Sequence, residues 1–138
     1  DSQAETSSLK KETEFIKSYV SLTRLRFSDK VDITLDIPAD VPEIYFPPLL
    51  FTSLIENAFK HGISYSYPSF IRISMAFEKD FLIFEIENSK AEKKSDLEAS
   101  GIGIENTRKR LELLYAERYK MELTDRENTF SAKITLPL

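Results

Sequence analysis

The chain lacks several features that would each point to a class of protein. It has no cysteine, which excludes disulfides, zinc thiolate sites and a cysteine nucleophile. It has no run of about 18 apolar residues, so we expect no membrane-spanning helix, and no signal peptide is visible. Glycine occurs three times and histidine once. The 138 residues, 41% of them apolar, predict one packed domain, or one domain with an appendage.

Charge of one sign is not in large excess. The 23 acidic and 19 basic residues give a net charge of −4. General nucleic-acid binders are usually basic, so we expect no nucleic-acid partner. A small net charge does not argue against a local phosphate site, and the search for function turns to clusters of polar residues.

The first cluster lies on a predicted helix over residues 48–61. At about 100° per residue, its apolar residues fall on one side and its polar residues on the other. The polar side carries Ser53, Glu56, Asn57, Lys60 and His61. An amide oxygen can ligate Mg²⁺, lysine is a compact charge suited to phosphate, and imidazole can donate to a phosphate oxygen. The alternative is a solvated helix face.

The second cluster contains two of the three glycines, Gly101 and Gly103. A polar segment over residues 89–100 precedes them and predicts a loop, which at that length is usually functional or mobile. A helix is predicted to follow over residues 104–116. Glycines just before a helix start let backbone N–H groups approach an anion closely. Together with the Asn57 helix, this pattern favours a phosphate site.

The order of elements predicts an α+β two-layer sandwich, with helices on one face of a mixed sheet. An amphipathic helix over residues 8–27 packs on its own domain, is the stub of a dimerisation region removed from this chain, or does both. The strands are predicted from alternating apolar residues at 31–37, 71–77, 81–87, 120–125 and 130–136.

Two boxes carry a resemblance to a known family. Residues 56–62 read Glu-Asn-Ala-Phe-Lys-His-Gly, and residues 101–111 read Gly-Ile-Gly-Ile-Glu-Asn-Thr-Arg-Lys-Arg-Leu. With the ending from Thr129 to Pro137, they resemble the ATP-binding domain of LytS-type sensor histidine kinases. This domain belongs to the superfamily that also holds gyrase, Hsp90 and MutL. The resemblance covers nearly the whole chain and implies the Bergerat-type ATP-binding fold, with ATP and Mg²⁺ as ligands.

The resemblance also implies roles for single residues. Asn57 matches the Mg²⁺-ligating asparagine, and Lys60 and His61 match phosphate contacts. The glycine box matches at Gly101, Ile102, Gly103, Ile104 and Arg110. Thr129 matches the threonine that supports hydrogen bonding to adenine.

The chain departs from the family at the adenine box. The family usually has Asp-x-Gly-x-Gly, whereas residues 87–91 read Glu-Asn-Ser-Lys-Ala, with neither glycine. Either Glu87 keeps the carboxylate or Asn88 offers an amide oxygen to the adenine amino group. The alternative is a site that has drifted and binds ATP weakly or not at all.

Two further residues bear on the reaction. Glu56 is considered as a general base, but the family's hydrolases carry that carboxylate four residues before the asparagine, where this chain has Ser53. This difference favours a transferase. His61 is the only histidine and is not the phosphate acceptor, because the branch carries that acceptor in an upstream His-Pro-His-Phe-type motif that is absent here.

The resemblance thus implies a protein-histidine kinase of which this chain supplies the catalytic domain, over residues 29–138. Residues 1–28 are predicted to end an upstream dimerisation and phosphoacceptor region. The expected partners are that region, a response regulator and a second copy in a homodimer. We expect a cytoplasmic domain of a membrane-anchored protein. The alternatives are a non-catalytic nucleotide-binding module and a dimerisation module that acts through the first helix.

Overall fold

The computed structural model describes residues 7–27, 30–63, 68–90 and 95–138, and of residues 95–102 it describes the backbone. The elements in chain order are α1 (Leu9–Arg24), β1 (Val31–Asp36), α2 (Leu50–His61), β2 (Ser69–Glu78), β3 (Phe81–Ser89), α3 (Ser95–Tyr115), a 3₁₀ turn (Ala116–Arg118), β4 (Lys120–Asp125) and β5 (Thr129–Pro137). All predicted helices and strands are present. Most of their bounds differ from the prediction by no more than three residues, and α3 is the exception.

The five strands form one mixed sheet in the order β1-β2-β3-β5-β4. β1 and β2 are parallel and the other neighbours are antiparallel. A parallel pair needs a crossover connection, and the segment that contains α2 supplies it. The apolar residues of β3 and β5 alternate, and their buried members are Leu82, Phe84, Ile86, Ala132, Ile134 and Leu136. The predicted α+β fold class is confirmed.

The first helix packs on the same core as the sheet. Leu9, Ile16 and Val20 of α1 are at most 1% exposed and belong to one apolar cluster with Phe51 and Phe84. The rings of Phe51 and Phe84 stack at 4.1 Å and join α2 to the sheet. The predicted domain boundary between residues 28 and 29 stays a prediction, and residues 1–6, 28 and 29 lie outside the described residues.

A buried carboxylate from α1 caps the start of α2. Glu12 is 4% exposed. Its oxygens accept hydrogen bonds from the backbone N–H groups of Leu49 (2.8 Å), Phe51 (3.0 Å) and Thr52 (3.1 Å). These are groups that a helix start leaves without partners, and the helix dipole favours an anion there. α1 therefore fixes the helix that carries Asn57.

The prediction of a long loop before the glycine box is wrong. Ser89 ends β3, and residues 95–100 form the first turns of α3; residues 91–94 lie outside the described residues. Gly101 and Gly103 therefore lie inside a helix rather than before it. The segment from Ser95 contains the good helix formers Leu97, Glu98 and Ala99, and a glycine inside a helix costs only about 1 kcal/mol relative to alanine.

Candidate functional site

A cavity of about 650 Å³ lies between the three helices. This volume is in the range of about 300–1,000 Å³ found for small-molecule sites. All three helices contribute side chains to its wall, which include those of Tyr19, Arg26, Glu56, Asn57, Lys60 and Arg110. The polar face of α2 therefore borders an open cavity, and Ser53, Glu56 and Lys60 on this face remain exposed to solvent.

The cavity is more positive than the chain as a whole. Among the described residues, the cavity wall carries three cations, Arg26, Lys60 and Arg110, and one carboxylate, Glu56, whereas the chain carries a net charge of −4. Within the described residues, no acidic side chain forms an ion pair with any of these three cations. Arg110 donates one hydrogen bond, to the backbone oxygen of Pro48 at 3.0 Å. Such a cluster attracts an anion.

A smaller cavity of about 20 Å³ lies between α2 and the sheet. Its wall includes His61, Asn88, Ile104, Phe130 and Ala132. This volume is close to the space that one water molecule needs, so it does not admit a purine ring without movement of the wall.

Asn57 lines both cavities and marks their junction. A Cβ atom at Gly103 would lie 2.8 Å from its Oδ1 atom. Gly103 is therefore a position of close approach between α2 and α3. The predicted placement of Gly101 and Gly103 before a helix start is wrong, because both lie inside α3, where interior helical N–H groups bond to carbonyls four residues earlier. Their part in nucleotide binding stays a prediction.

The predicted phosphate residues of α2 border different cavities. Lys60 lines the large cavity and His61 the small one. Successive helical residues point about 100° apart, which separates the two side chains. Lys60 is thus brought together with Arg110, and His61 is brought to Asn88 instead. Glu56 lies on the large cavity beside Asn57.

The two predicted adenine residues of β3 lie on opposite faces of the sheet. Asn88 shares the helix-covered face with Ile86 and lines the small cavity. Glu87 points to the other face, where its Oε1 pairs with Arg72 at 3.2 Å. Side chains of a strand alternate, so only one of the two can reach the site. The structure does not bring Glu87 to it.

Thr129 is also absent from both cavity walls. It pairs with Ser89 across β3 and β5, at the first position of β5. Phe130 and Ala132, on the alternate face, border the small cavity instead. Of the remaining glycine-box residues, Ile104 is buried beside the small cavity, and Gly101 and Ile102 lie in the helical backbone of α3.

The sequence analysis missed the contribution of α1. Tyr19, Thr23 and Arg26 all line the large cavity. The spacing of four residues places Tyr19 and Thr23 on one face of α1, and Arg26 follows in the turn after the helix, where its N–H donates to the backbone oxygen of Thr23 at 3.0 Å. The spacing of Tyr19 and Thr23 is the signal that the sequence contained. Burial, and next the Glu56 carboxylate, raise the pKa of the Tyr19 hydroxyl, so it remains a hydrogen-bond donor at neutral pH.

A bound metal ion would find few protein ligands here. Within the described residues, no three His, Cys, Asp or Glu side chains are grouped to hold one. Mg²⁺ commonly binds through one or two protein oxygens, with water and substrate phosphates completing its shell. The amide oxygen of Asn57, at the edge of a cation-lined cavity, fits this donor set.

Comparison with known proteins identifies relatives along nearly the whole chain. Sensor histidine kinase YesM of Bacillus subtilis strain 168 is 28% identical over 135 residues, 94% of this chain. Sensor protein LytS of Staphylococcus saprophyticus is 26% identical over 96% of this chain. The chain is related to the sensor histidine kinases. It spans 23% and 24% of the length of these two proteins. No family model matches the chain.

Solved structures of histidine kinase catalytic domains share the fold of this chain. The catalytic domain of histidine kinase ThkA matches with a TM-score of 0.65 and 16% identity, over 91% of this chain and 92% of that one. The resemblance inferred from the two boxes is confirmed. Within the described residues, no helix is both long and apolar enough to cross a bilayer.

Proposed function

We propose that this chain is the ATP-binding catalytic domain of a two-component sensor histidine kinase. The observation that carries the proposal is the position of Asn57, between a cation-lined cavity and a smaller cavity beside Asn88. A nucleotide would extend across this junction, with its base toward Asn88 and its phosphates toward Lys60 and Arg110.

The residues of the large cavity would act by positioning and charge neutralisation. Lys60 and Arg110 would hold the phosphate oxygens, and Asn57 would offer its amide oxygen to Mg²⁺. Bound Mg²⁺ supplies further neutralisation of phosphate charge. In the transfer, a histidine nitrogen forms a bond to the γ-phosphorus while the bond to the ADP oxygen breaks, and ADP leaves with that electron pair. Alignment of the two reactants is the main requirement.

At the base end, Asn88 takes the place of the family's aspartate. Its amide oxygen would accept from the adenine amino group, whereas its Nδ2 donates to the backbone oxygen of Ser89 at 2.7 Å. That donation leaves Oδ1 available. Glu87, paired with Arg72 on the opposite face, takes no part in this proposal. The small cavity would have to widen for the base to enter.

The acceptor histidine would lie upstream in the longer protein. His61 is the only histidine here and borders the small cavity rather than the cation-lined one. Residues 1–28 would end a dimerisation and phosphoacceptor region. The exposure of Phe15 (50%), Leu22 (66%) and Leu25 (83%) supports a contact there. The full protein would be a homodimer, anchored in the membrane with this domain in the cytoplasm, and would pass the phosphoryl group to a response regulator.

A second candidate function is nucleotide binding without catalysis. Two observations favour it: an amide stands where the family has a carboxylate, and the cavity beside it measures about 20 Å³. This candidate predicts binding by the chain and no phosphoryl transfer in the longer protein.

Calorimetric titration with Mg-ADP and a non-hydrolysable ATP analogue tests the binding proposal. We expect the parent chain to bind both and Asn57→Ala to lose Mg²⁺-dependent binding, by at least about tenfold, the equivalent of 1.4 kcal/mol. Asn128→Ala is the matched control, because Asn128 is an exposed residue that lines neither cavity. Equal affinities for Asn57→Ala and the parent would remove the metal assignment, and a parent that binds no adenine nucleotide would refute the function.

A further inference from the structure

We propose that the turn directly after α1 supplies a ligand to the nucleotide: the guanidinium of Arg26 binds the polyphosphate chain, in the cavity that it shares with Asn57 and Lys60. The inference rests on the proposed nucleotide binding and adds to it a residue from outside the two boxes. It would make the nucleotide site span the predicted boundary between residues 28 and 29.

The two cavities give the direction of the bound ligand. α1 and the turn after it contribute Tyr19, Thr23 and Arg26 to the large cavity, and among the described residues neither contributes a side chain to the small one. Asn88 borders only the small cavity, and Asn57 borders both. A ligand with its base toward Asn88 would therefore meet α1 only at its phosphate end.

Arg26 has a charge that no acidic side chain of the described residues neutralises. Its guanidinium lies 5.8 Å from the centroid of the Phe27 ring. Arg24, on another face of the same segment, instead donates to the backbone oxygen of Ile33 at 2.8 Å. Arg26 and Lys60 thus border one cavity without an ion pair among the described residues, and the lining carboxylate of Glu56 offsets only part of the positive charge of Arg26, Lys60 and Arg110. A guanidinium presents a planar fork of donors that matches phosphate oxygens, which suits Arg26 to an anionic ligand.

Aromatic packing holds this end of α1 against α2. The ring of Tyr19 meets Phe59 edge-on at 5.7 Å, and Phe27 stacks on Phe59 at 6.2 Å. Thr23 is buried and donates to the backbone oxygen of Tyr19 at 2.7 Å. These contacts hold the backbone of Arg26 in place before a ligand binds. Binding at Arg26 therefore costs less conformational entropy.

The test measures the affinity of Arg26→Ala for Mg²⁺ complexes of AMP, ADP and a non-hydrolysable ATP analogue. Loss of a hydrogen bond to a charged group lowers affinity by roughly tenfold to a hundredfold. We expect a loss of this size for the ATP analogue, a smaller loss for ADP and none for AMP. Arg26→Lys should retain part of the affinity, since it keeps the charge without the fork.

Lys17→Ala is the matched control. Lys17 is an exposed residue of α1 that does not line the cavity, and its substitution removes the same charge. We expect it to bind all three nucleotides as the parent does, and thermal unfolding should show both variants folded.

Four outcomes would overturn the inference. Parent affinity in Arg26→Ala, with normal binding by the parent, refutes it and leaves the proposed function standing. An equal loss for AMP, ADP and the ATP analogue indicates a structural role, and an equal loss in Lys17→Ala indicates a long-range charge effect. A parent that binds no nucleotide refutes the proposed function, and the inference fails with it.

Discussion

At the scale of single residues, the close approach of Gly103 to Asn57 sets a steric limit. A Cβ atom at position 103 would lie 2.8 Å from Asn57 Oδ1, shorter than ordinary van der Waals contact. The end of the Asn57 side chain would have to move. Because Asn57 is the proposed metal ligand, a substitution on α3 would act on a ligand carried by α2.

We predict that Gly103→Ala weakens Mg-ADP binding by about tenfold, or 1.4 kcal/mol, because it displaces the Asn57 amide. Its stability should change little, since alanine favours a helix over glycine by about 1 kcal/mol and offsets the steric strain. Calorimetry and urea unfolding measure the two effects.

A double-mutant cycle supplies the control for this prediction. In an Asn57→Ala background, the added methyl group meets no amide, so Gly103→Ala should have no further effect on affinity. Additive losses in the double variant would show that Gly103 acts by another route.

The sequence predicted residue chemistry better than residue placement. Asn57 and Lys60 do lie together on a cavity, because both follow from the period of one helix. Glu87 was named beside Asn88 because either could supply an oxygen. Their faces depend on the register of β3, which places Asn88 inward and pairs Glu87 with Arg72. The sequence analysis did not single out Arg26, since the packing of the α1 segment on α2 is a tertiary contact.

At the scale of elements, the junction between α1 and α2 is held by one buried carboxylate. Three backbone donors and the Thr52 hydroxyl, at 3.2 Å, point at the oxygens of Glu12. Leu49, the residue before α2, has a left-handed backbone with φ of 62° and no side-chain cap of its own. The cap therefore comes from a residue 37 positions earlier in the chain than Leu49.

We predict that Glu12→Ala lowers the free energy of unfolding by about 3 kcal/mol, because it leaves buried N–H groups unsatisfied. Glu12→Gln should lose about 1 kcal/mol, since an amide oxygen still accepts but the charge that complements the helix dipole is gone. Urea unfolding measures both losses.

Glu14→Ala is the control for the cap, because Glu14 is exposed on the same helix and should change stability by less than about 0.5 kcal/mol. A Glu12→Ala variant as stable as Glu14→Ala would contradict the cap.

The element that the sequence predicted least well is α3. Its glycines and its low apolar content before residue 101 indicated a loop, whereas the helix begins at Ser95. Glycine lowers helix propensity by only about 1 kcal/mol, and Gly103 is used for close packing on Asn57. A contact between two helices is not visible in the local sequence of either one.

At the scale of the whole molecule, the fold followed from periodicity. Alternating strands and one-sided helices have few ways to bury their apolar faces, and a mixed sheet covered by helices is one of them. The sequence could not show the sizes of the two cavities. Those sizes depend on the distance between α2 and α3. Gly103 lets α3 approach Asn57 closely, and Ile104 forms part of the wall of the small cavity.

The division of labour in the proposed kinase gives the last prediction. The isolated chain should bind adenine nucleotide but should not label itself from radioactive ATP. Binding needs only the cavity residues that this fold holds together. Labelling needs a histidine that approaches the γ-phosphate in line, and His61 borders the small cavity on the base side of Asn57. Acid-labile phosphate on this chain would contradict that placement.

A longer chain that carries the upstream acceptor should gain labelling, and Asn57→Ala in that chain should abolish it. His61→Gln is the informative companion variant: the labelled site should be unchanged, because His61 is not the acceptor. Normal nucleotide binding by this chain, with no labelling of the longer one, would instead favour the non-catalytic candidate. In that case the site beside the Asn88 amide and the 20 Å³ cavity would bind nucleotide but would not support phosphoryl transfer.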